Sequence, residues 1–313
     1  MGRGPFYRSL APFRLWWMLP RPVDWAAEFG RAAPLHLEIG CGNGDWLARR
    51  ADDAPDVNWV GLEPEWGRVM KVLRKLARRD ARHTRVLAAG IGVALDRLFA
   101  PRSLAAATCL FPEPWPRARH VKHRLFSTAG LTRIASRLAD DAALRVVTDD
   151  AAYADWIVAG VPGCLAAARG VVGPAEGTWF ERLWHGKGQP EFHELTLTKG
   201  SHPEVPVRED VPMRTHVCPE FAAERFHPTD VRGRPAAGEI AVAWRDRLWD
   251  PAARCLMLRA TVAEPDLVQH LWIEVRAEAD GWHIRPAQGC GFVPTAGVQR
   301  ALDALRDAAA ATS

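Results

Sequence analysis

The 313-residue sequence has no apolar run that approaches the roughly 20 residues a membrane-spanning helix requires. The apolar run at residues 15–19 is too short for the core of a secretory signal, and it lies between Arg14 and Arg21. We therefore expect a cytoplasmic protein that has no membrane partner.

The six cysteines form no C-x-x-C pair and no set with the spacing of metal ligands. Free thiols in a reducing cytosol, without a metal site, are the simplest expectation. Charge of one sign is not in large excess either, since the net charge is +4. This balance does not by itself indicate a nucleic-acid partner.

A glycine-rich turn is the first motif that carries chemistry. Residues 35–39 are typical of a short buried strand, Gly40, Gly42 and Gly44 follow it, and residues 45–50 begin a helical pattern. Between a strand and a helix, such glycines let the backbone approach a ligand closely. The further glycine of the dinucleotide fingerprint is missing. An ordinary βαβ crossover is the alternative interpretation.

Acidic residues at strand ends indicate which ligand the turn would hold. Glu38 precedes the turn, and Glu63 ends the next predicted strand, about twenty residues on, where an acid can accept hydrogen bonds from ribose hydroxyls. A glycine turn with two acids suits a cationic nucleoside, and S-adenosylmethionine is such a ligand.

The second motif is the sequence F-P-E-P-W-P at residues 111–116, which a basic run follows. Its prolines each fix φ and favour extended neighbours, so Glu113 and Trp115 are held in place before a ligand arrives. A rigid acid beside a flat ring suits a planar base with N–H donors, and the cations suit phosphate. A proline-rich surface turn ahead of a charged helix is the alternative.

With these motifs the chain resembles the bacterial tRNA (guanine-N7-)-methyltransferases over roughly residues 20–200. The shared elements are L-E-I-G-C-G-N-G at 37–44, G-L-E at 61–63, F-P-E-P-W-P at 111–116, T-D at 148–149 and T-W-F-E at 178–181. The resemblance implies an α/β fold with the doubly wound, Rossmann-like sheet of class I methyltransferases. It also implies methyl transfer from S-adenosyl-L-methionine to guanine N7 at position 46, in the variable loop of tRNA.

The resemblance further implies the residues of the site. Glu113 stands at the position of the catalytic acid. The methyl donor is expected against Glu38, Gly40, Cys41, Gly42, Gly44, Glu63, Gly90 and Glu113. The tRNA is expected against Arg117, Asp149, Thr178, Trp179, Phe180 and Glu181. Asp149 also has a structural alternative, as the N-cap of the helix that follows it.

Four positions depart from the family pattern. Glu113 replaces the more usual Asp, Arg117 replaces Lys, Trp179 replaces a basic residue, and Gly90 replaces an acid that typically binds the adenine amino group. Losing that hydrogen bond costs about 1 kcal/mol. Two alternatives therefore stay open: a diverged methyltransferase acting on another RNA site or a small molecule, and a non-catalytic RNA-binding paralogue.

The chain divides into four predicted parts. Residues 1–30 are either an RNA-gripping arm or, as their tryptophans favour, a segment packed on the domain. Residues 31–200 alternate strands and helices, which favours a parallel sheet covered on both faces. Residues 201–236 are a predicted linker, and residues 237–313 are a small predicted α+β module of unreadable role. The oligomeric state, monomer or homodimer, stays open.

A basic amphipathic helix is predicted at residues 65–82. Its cations are either a solvated outer face or a surface that tracks phosphates.

Overall fold

The computed structural model describes residues 10–79, 81–115, 124–227 and 240–312, with side chains as far as residue 309. The chain forms two compact units, Met1–Arg208 and Glu209–Ser313. Within the described ranges, no helix is both long enough and apolar enough to cross a membrane.

The described part of the first unit consists of alternating strands and helices. Its strands are β1 (Phe13–Arg14), β2 (Leu35–Ile39), β3 (Asn58–Leu62), β4 (Thr84–Leu87), β5 (Leu104–Leu110), β6 (Leu138–Thr148), β7 (Leu165–Val172) and β8 (Phe192–Lys199). Its α-helices are α1 (Trp25–Phe29), α2 (Asp45–Asp53), α3 (Trp66–Leu76), α4 (Ile91–Arg97), α5 (Thr128–Arg137), α6 (Ala151–Ala159) and α7 (Trp179–Gly186).

One sheet joins all of these strands in the order β1-β4-β3-β2-β5-β6-β8-β7. Its neighbours pair in parallel except at β8, which is antiparallel to both β6 and β7. The strand order reverses between β2 and β5, and ligands of open α/β sheets bind beyond the carboxyl ends of the strands at such a point. The glycine turn follows β2 and the proline motif follows β5, so the reversal brings the two motifs to one place.

Helices cover both faces of this sheet, as the alternation predicts. One apolar core contains Leu95 from α4, Ile134 from α5 and Ile157 from α6, and the other contains Leu47 from α2 and Val72 from α3. The doubly wound α/β prediction is therefore confirmed. Burial on both faces explains why the central strands are apolar along most of their length.

The described part of the predicted N-terminal arm is packed on the first unit. Phe13 of β1 pairs in parallel with Val86 of β4, and its ring lies 5.1 Å from that of Trp66. Trp25 is buried and stacks on Phe99 at 5.2 Å. Packing, rather than a free arm, is confirmed for residues 10–30, while residues 1–9 lie outside the described ranges.

The described part of the second unit is an antiparallel sheet with one helix against it. The strands described there are β9 (His216–Cys218), β10 (Ala241–Asp250), β11 (Cys255–Ala263), β12 (Val268–Glu278) and β13 (Gly281–Pro286), in the order β10-β11-β12-β13-β9. Helix α8 (Ala296–Thr312) follows the last strand. Its Leu302 and Leu305 share a buried core with Leu258 and Ile273 of the sheet.

The structure corrects the predicted linker at 201–236. His216 of β9 pairs with Ile284 of β13, and Phe221 and Phe226 are buried in the second core. Residues from 209 onward therefore belong to the second unit. A strand of three residues and apolar side chains in a turn leave no periodic pattern, which is why the sequence does not reveal them.

Candidate functional site

A cavity of about 660 Å³ lies where the chain leaves β2 and β5. We give names to two groups of its lining residues. The glycine wall consists of Glu38, residues 40–43 and Glu63, and the aromatic wall consists of residues 111–113, Trp115 and residues 178–180. Gly90 also lines the cavity.

Most residues expected at the site line this cavity, and three of the described ones do not. Gly44, Asp149 and Glu181 lie outside its lining. Arg117 lies outside the described residues.

Gly44 serves packing rather than contact with a ligand. Its φ is +71°, and a Cβ built there would lie 2.8 Å from a methyl carbon of Val72. Only glycine allows α2 to begin this close to α3. Gly40 and Gly42 also have positive φ, at +71° and +54°, and no atom within 3.4 Å of a built Cβ. At these two positions the backbone turn, and not crowding, requires glycine.

Glu63 ties the glycine turn to the next loop. Its Oε2 accepts from the Gly42 N–H at 2.9 Å, and its Oε1 accepts from the Glu65 N–H at 3.0 Å. The carboxylate is buried, and it also lines the cavity. Each carboxylate oxygen has a second lone pair, so Glu63 keeps acceptor capacity for a ligand.

Glu38 is the most perturbed acid of the site. Burial raises the pKa of its carboxyl to about 8, and the nearby carboxylates of Asp45, Glu176 and Glu63 add to the rise. Among the described residues, no donor bonds its buried Oε2. A buried oxygen without a partner is costly, so a donor or a cation on a ligand in this cavity would complete it.

Glu113 differs from Glu38 in being exposed, although it lines the same cavity. The backbone is strained at both ends of the loop that carries Glu113, since φ is +55° at Phe111 and +44° at Trp115. The buried Phe111 ring packs edge-on against Phe192 at 5.0 Å, and Arg124 Nε donates to the Pro114 carbonyl at 2.8 Å. The predicted stiffness of this loop thus comes from anchors as well as from its prolines.

The chain leading into α7 is held by Glu181. Its carboxylate accepts from the backbone N–H groups of Ala175 and Glu176, each at 2.8 Å, and from that of Gly177. Thr178 caps the helix, accepting from the Glu181 N–H at 3.1 Å. The contact between Glu181 and a substrate stays a prediction; in this structure the buried carboxylate bonds its own loop and lies outside the cavity lining.

Glu176 is a buried acid that the sequence motifs do not indicate. It accepts from Trp46 Nε1 at 2.6 Å and pairs with Arg145 at 2.7 Å and with Arg49 at 3.2 Å. These contacts fasten the loop before α7 to α2 and β6. No local pattern signals such a role, because Trp46 is 130 positions away in the chain.

The start of α7 presents two aromatic rings to the cavity. Trp179 is 48% exposed and Phe180 is 37% exposed. Their ring centroids lie 4.9 Å apart in an edge-to-face arrangement.

Asp149 is half-buried, and burial raises the pKa of its carboxyl, with a smaller contribution from Asp150. The N-cap of α6 is Asp150, whose carboxylate accepts from the Tyr153 N–H at 2.9 Å. The capping role considered for Asp149 is therefore wrong by one position.

Helix α3 and the residues just after it carry several cations, some of them at the cavity. Lys71 is exposed and lines it, and Arg74 and Arg78 are exposed further along the same segment. Within the described ranges, none of these three side chains forms an ion pair or a hydrogen bond. Other cations of the segment are neutralised, since Lys75 lies 2.5 Å from Asp45 and Arg79 lies 2.6 Å from Asp52.

Comparisons with known proteins find methyltransferases that are similar to this chain. A family model described as "Putative methyltransferase" matches residues 32–164. The tRNA (guanine-N(7)-)-methyltransferase of Chlorobium phaeobacteroides is 30% identical over 175 residues, which cover 56% of this chain and 86% of that protein. The protein of the same name from Chlamydia caviae is 30% identical over 182 residues, 56% of this chain and 81% of that protein. Another, from Nocardia farcinica, is 38% identical over 138 residues, 44% of this chain and 51% of that protein.

Proposed function

This chain belongs to the tRNA (guanine-N(7)-)-methyltransferase family, and we propose that it methylates N7 of a guanine in tRNA, at position 46 of the variable loop. S-adenosyl-L-methionine is the methyl donor. The observation that carries the proposal is the convergence of Glu38, Glu63 and Glu113 on one cavity at the point where the strand order reverses.

The glycine wall fits a cationic nucleoside. S-adenosylmethionine, when bound, supplies a methyl group that is already activated as a sulfonium. The unpartnered Oε2 of Glu38 would accept from the α-ammonium group of this ligand, and the free acceptor capacity of Glu63 suits ribose hydroxyls. Residues 40–42 bring the backbone close to the ligand without side-chain bulk, apart from the buried thiol of Cys41.

The aromatic wall fits guanine. N7 of guanine carries a lone pair in the ring plane, so the reaction needs no base to remove a proton first. The enzyme must hold N7 in line with the methyl group, and such positioning can contribute several kcal/mol. The exposed carboxylate of Glu113 would accept from guanine N–H donors, and its charge would stabilise the positive charge that develops on the purine.

The other expected residues divide into contacts and supports. Thr178, Trp179 and Phe180 line the cavity and are proposed to face the RNA. Glu181 is proposed to hold their loop in place. Gly90 offers only its backbone to the adenine amino group, which we expect to weaken cofactor binding without abolishing it.

The test is to incubate the protein with labelled S-adenosylmethionine and an unmodified tRNA transcript, and then to analyse the nucleosides of the digest. We expect 7-methylguanosine, and none from a Glu113→Ala variant or from a transcript with adenosine at position 46. Label in another nucleoside would contradict the proposed substrate. Failure to bind either S-adenosylmethionine or S-adenosylhomocysteine in calorimetry would contradict the enzymatic function altogether.

A further inference from the structure

The aromatic pair at the start of α7 is not part of an apolar core. Trp179 leaves 48% of its surface exposed and Phe180 leaves 37%, although both line the cavity. Large aromatic rings normally bury most of their area, because that burial dominates packing energetics. Exposed rings at the edge of a binding cavity are instead typical of surfaces on which nucleic-acid bases stack.

The rings stand on a rigid support. Glu181 bonds the backbone of the preceding loop, and Glu176 bonds Trp46 and Arg145 at 2.6 and 2.7 Å. The edge-to-face contact with Phe180, at 4.9 Å and 79°, further restricts the Trp179 ring. A ring fixed in advance loses little conformational entropy when a base stacks on it.

The surroundings of the pair favour a base of the RNA over the adenine of the methyl donor. Trp179 belongs to the wall that carries the exposed Glu113. The groups suited to the methyl donor, Glu38 and Glu63, are each only 3% exposed and belong to the glycine wall. The exposed Lys71 at the same cavity adds a charge suited to the backbone of the same nucleic acid.

We propose that Trp179 stacks on an RNA base next to the target guanine, and that Phe180 braces its ring edge-on. The inference rests on the proposed function, since it takes tRNA as the ligand. Stacking of this kind tolerates any base, because every base has a π-face. The stack therefore holds the RNA segment beside the target guanine in place. Recognition of the guanine itself is left to Glu113.

The first experiment measures binding of an unmodified tRNA transcript by fluorescence anisotropy. Trp179→Ala is expected to raise the Kd for the transcript about tenfold, as expected for the loss of one base–aromatic stack. Trp179→Leu serves as the matched control, because it keeps apolar bulk without a ring, and it should lose as much as Trp179→Ala. Trp179→Phe should stay near the wild-type Kd. The side chain is half exposed, so thermal melting should show all three variants folded.

The second experiment tests stacking directly. Transcripts carry 2-aminopurine at single positions on either side of the target guanosine, and fluorescence is recorded on binding. Quenching is expected at one of these positions with wild-type protein and Trp179→Phe, and it should disappear with Trp179→Leu. The dependence of log Kd on log salt should be the same for wild type and Trp179→Ala, because a stacked ring releases no counterions.

Three outcomes would overturn the inference. One is a Kd for the transcript that equals the wild-type protein's value in both Trp179→Ala and Trp179→Leu. Another is wild-type binding by Trp179→Leu alone, which would indicate a general apolar contact. The third is a Trp179→Ala variant that loses affinity for S-adenosylmethionine but not for RNA. Failure of the proposed function would give a different result: the wild-type protein would form no 7-methylguanosine, whatever RNA the variants bind.

Discussion

The two walls of the cavity differ in how their polar groups are held. On the glycine wall, Glu38 and Glu63 are each 3% exposed, and Glu63 accepts two backbone N–H bonds. On the aromatic wall, Glu113 and Trp179 are exposed, and anchors on the neighbouring backbone fix their loops. Buried groups suit a small ligand that enters the cavity, and exposed groups suit a base that stays attached to a macromolecule. If this division is correct, a substitution on one wall should change binding or turnover of one ligand and leave the affinity for the other ligand unchanged.

The largest effect is expected on the aromatic wall. Glu113→Ala should lower kcat for methyl transfer by about 10²–10³, as is typical when a group that stabilises the developing charge is removed. Calorimetry should show an unchanged Kd for S-adenosylmethionine, in contrast to the cofactor contact that the family resemblance implies for Glu113. Glu113→Asp is the matched control, because it keeps the carboxylate and should retain activity. A Glu113→Ala variant that also fails to bind the methyl donor would mean that the walls are not independent.

The next largest effect is expected on the glycine wall. Glu38→Gln keeps the shape of the side chain and removes its charge, so the Kd for S-adenosylmethionine should rise about tenfold to a hundredfold, the range for a hydrogen bond to a charged group. Binding of a tRNA transcript in the absence of methyl donor should be unchanged. Equal losses for both ligands would contradict the assignment of Glu38 to one wall.

Glu38 also predicts a pH dependence. Its pKa of about 8 means that the ligand-free protein carries it protonated at neutral pH, and a cationic ligand favours the ionised form. The Kd for S-adenosylmethionine should therefore fall by about tenfold per pH unit up to pH ~8 and then level off. The Kd of Glu38→Gln still varies with pH as the ligand itself titrates. The difference between the two curves of Kd against pH therefore reports the titration of Glu38 alone. Superimposable curves would refute the prediction.

The same pKa sets the sign of a stability effect. A carboxyl whose pKa is raised by folding, from 4.5 to about 8, binds its proton more tightly in the folded state. Its contribution to stability is complete below pH 4.5 and is lost as the pH rises through about 8. The ligand-free Glu38→Gln variant should therefore gain thermal stability relative to wild type as the pH rises from 4.5 to about 8, and the difference should stay constant above that pH. Ligand-free melting curves across that range provide the measurement.

The sequence predicts the glycine wall better than the supports of the aromatic wall. Glu38 and Glu63 end apolar strands, and the carboxyl ends of neighbouring parallel strands meet at one edge of a sheet. This makes their proximity predictable from local patterns alone. Glu176 and Glu181 carry no such signal, because their partners depend on how distant elements pack. The sequence shows acids near a motif in both cases. Only the fold shows that Glu38 and Glu63 line the cavity, whereas Glu176 and Glu181 brace a loop.

A similar limit applies to the edges of the fold. The central strands of the first sheet are apolar runs that the sequence reveals, whereas β1 has two residues and β9 has three. Strands this short are defined by the edge they pair with, as Phe13 is by its pairing with Val86 of β4. Periodicity cannot reveal them.

A smaller effect, in the direction of tighter binding, is expected at Gly90. Its φ of −72° and ψ of 148° suit any residue at a helix N-cap, and a built Cβ would have no atom within 4 Å. Gly90→Asp should restore a hydrogen bond to the adenine amino group and lower the Kd for S-adenosylmethionine about fivefold, equivalent to about 1 kcal/mol. Gly90→Ala adds a Cβ without an acceptor and should leave the Kd unchanged. If Gly90→Ala also lowered the Kd, the tighter binding would come from the altered backbone and not from the added acceptor.

The smallest effect concerns the cations beside the cavity. Lys71→Ala should weaken tRNA binding only about twofold to threefold, because a phosphate contact adds affinity without specificity. The slope of log Kd against log salt is the sharper measure, since it should fall in magnitude by about 0.7–0.9 for each phosphate that the variant no longer neutralises. Arg79→Ala is the matched control: Arg79 already pairs with Asp52 at 2.6 Å, so its loss should leave the slope unchanged. Equal slopes for wild type and Lys71→Ala would indicate that Lys71 belongs to a solvated outer face of α3 and contacts no phosphate. A change in the affinity for S-adenosylmethionine would instead place Lys71 with the glycine wall.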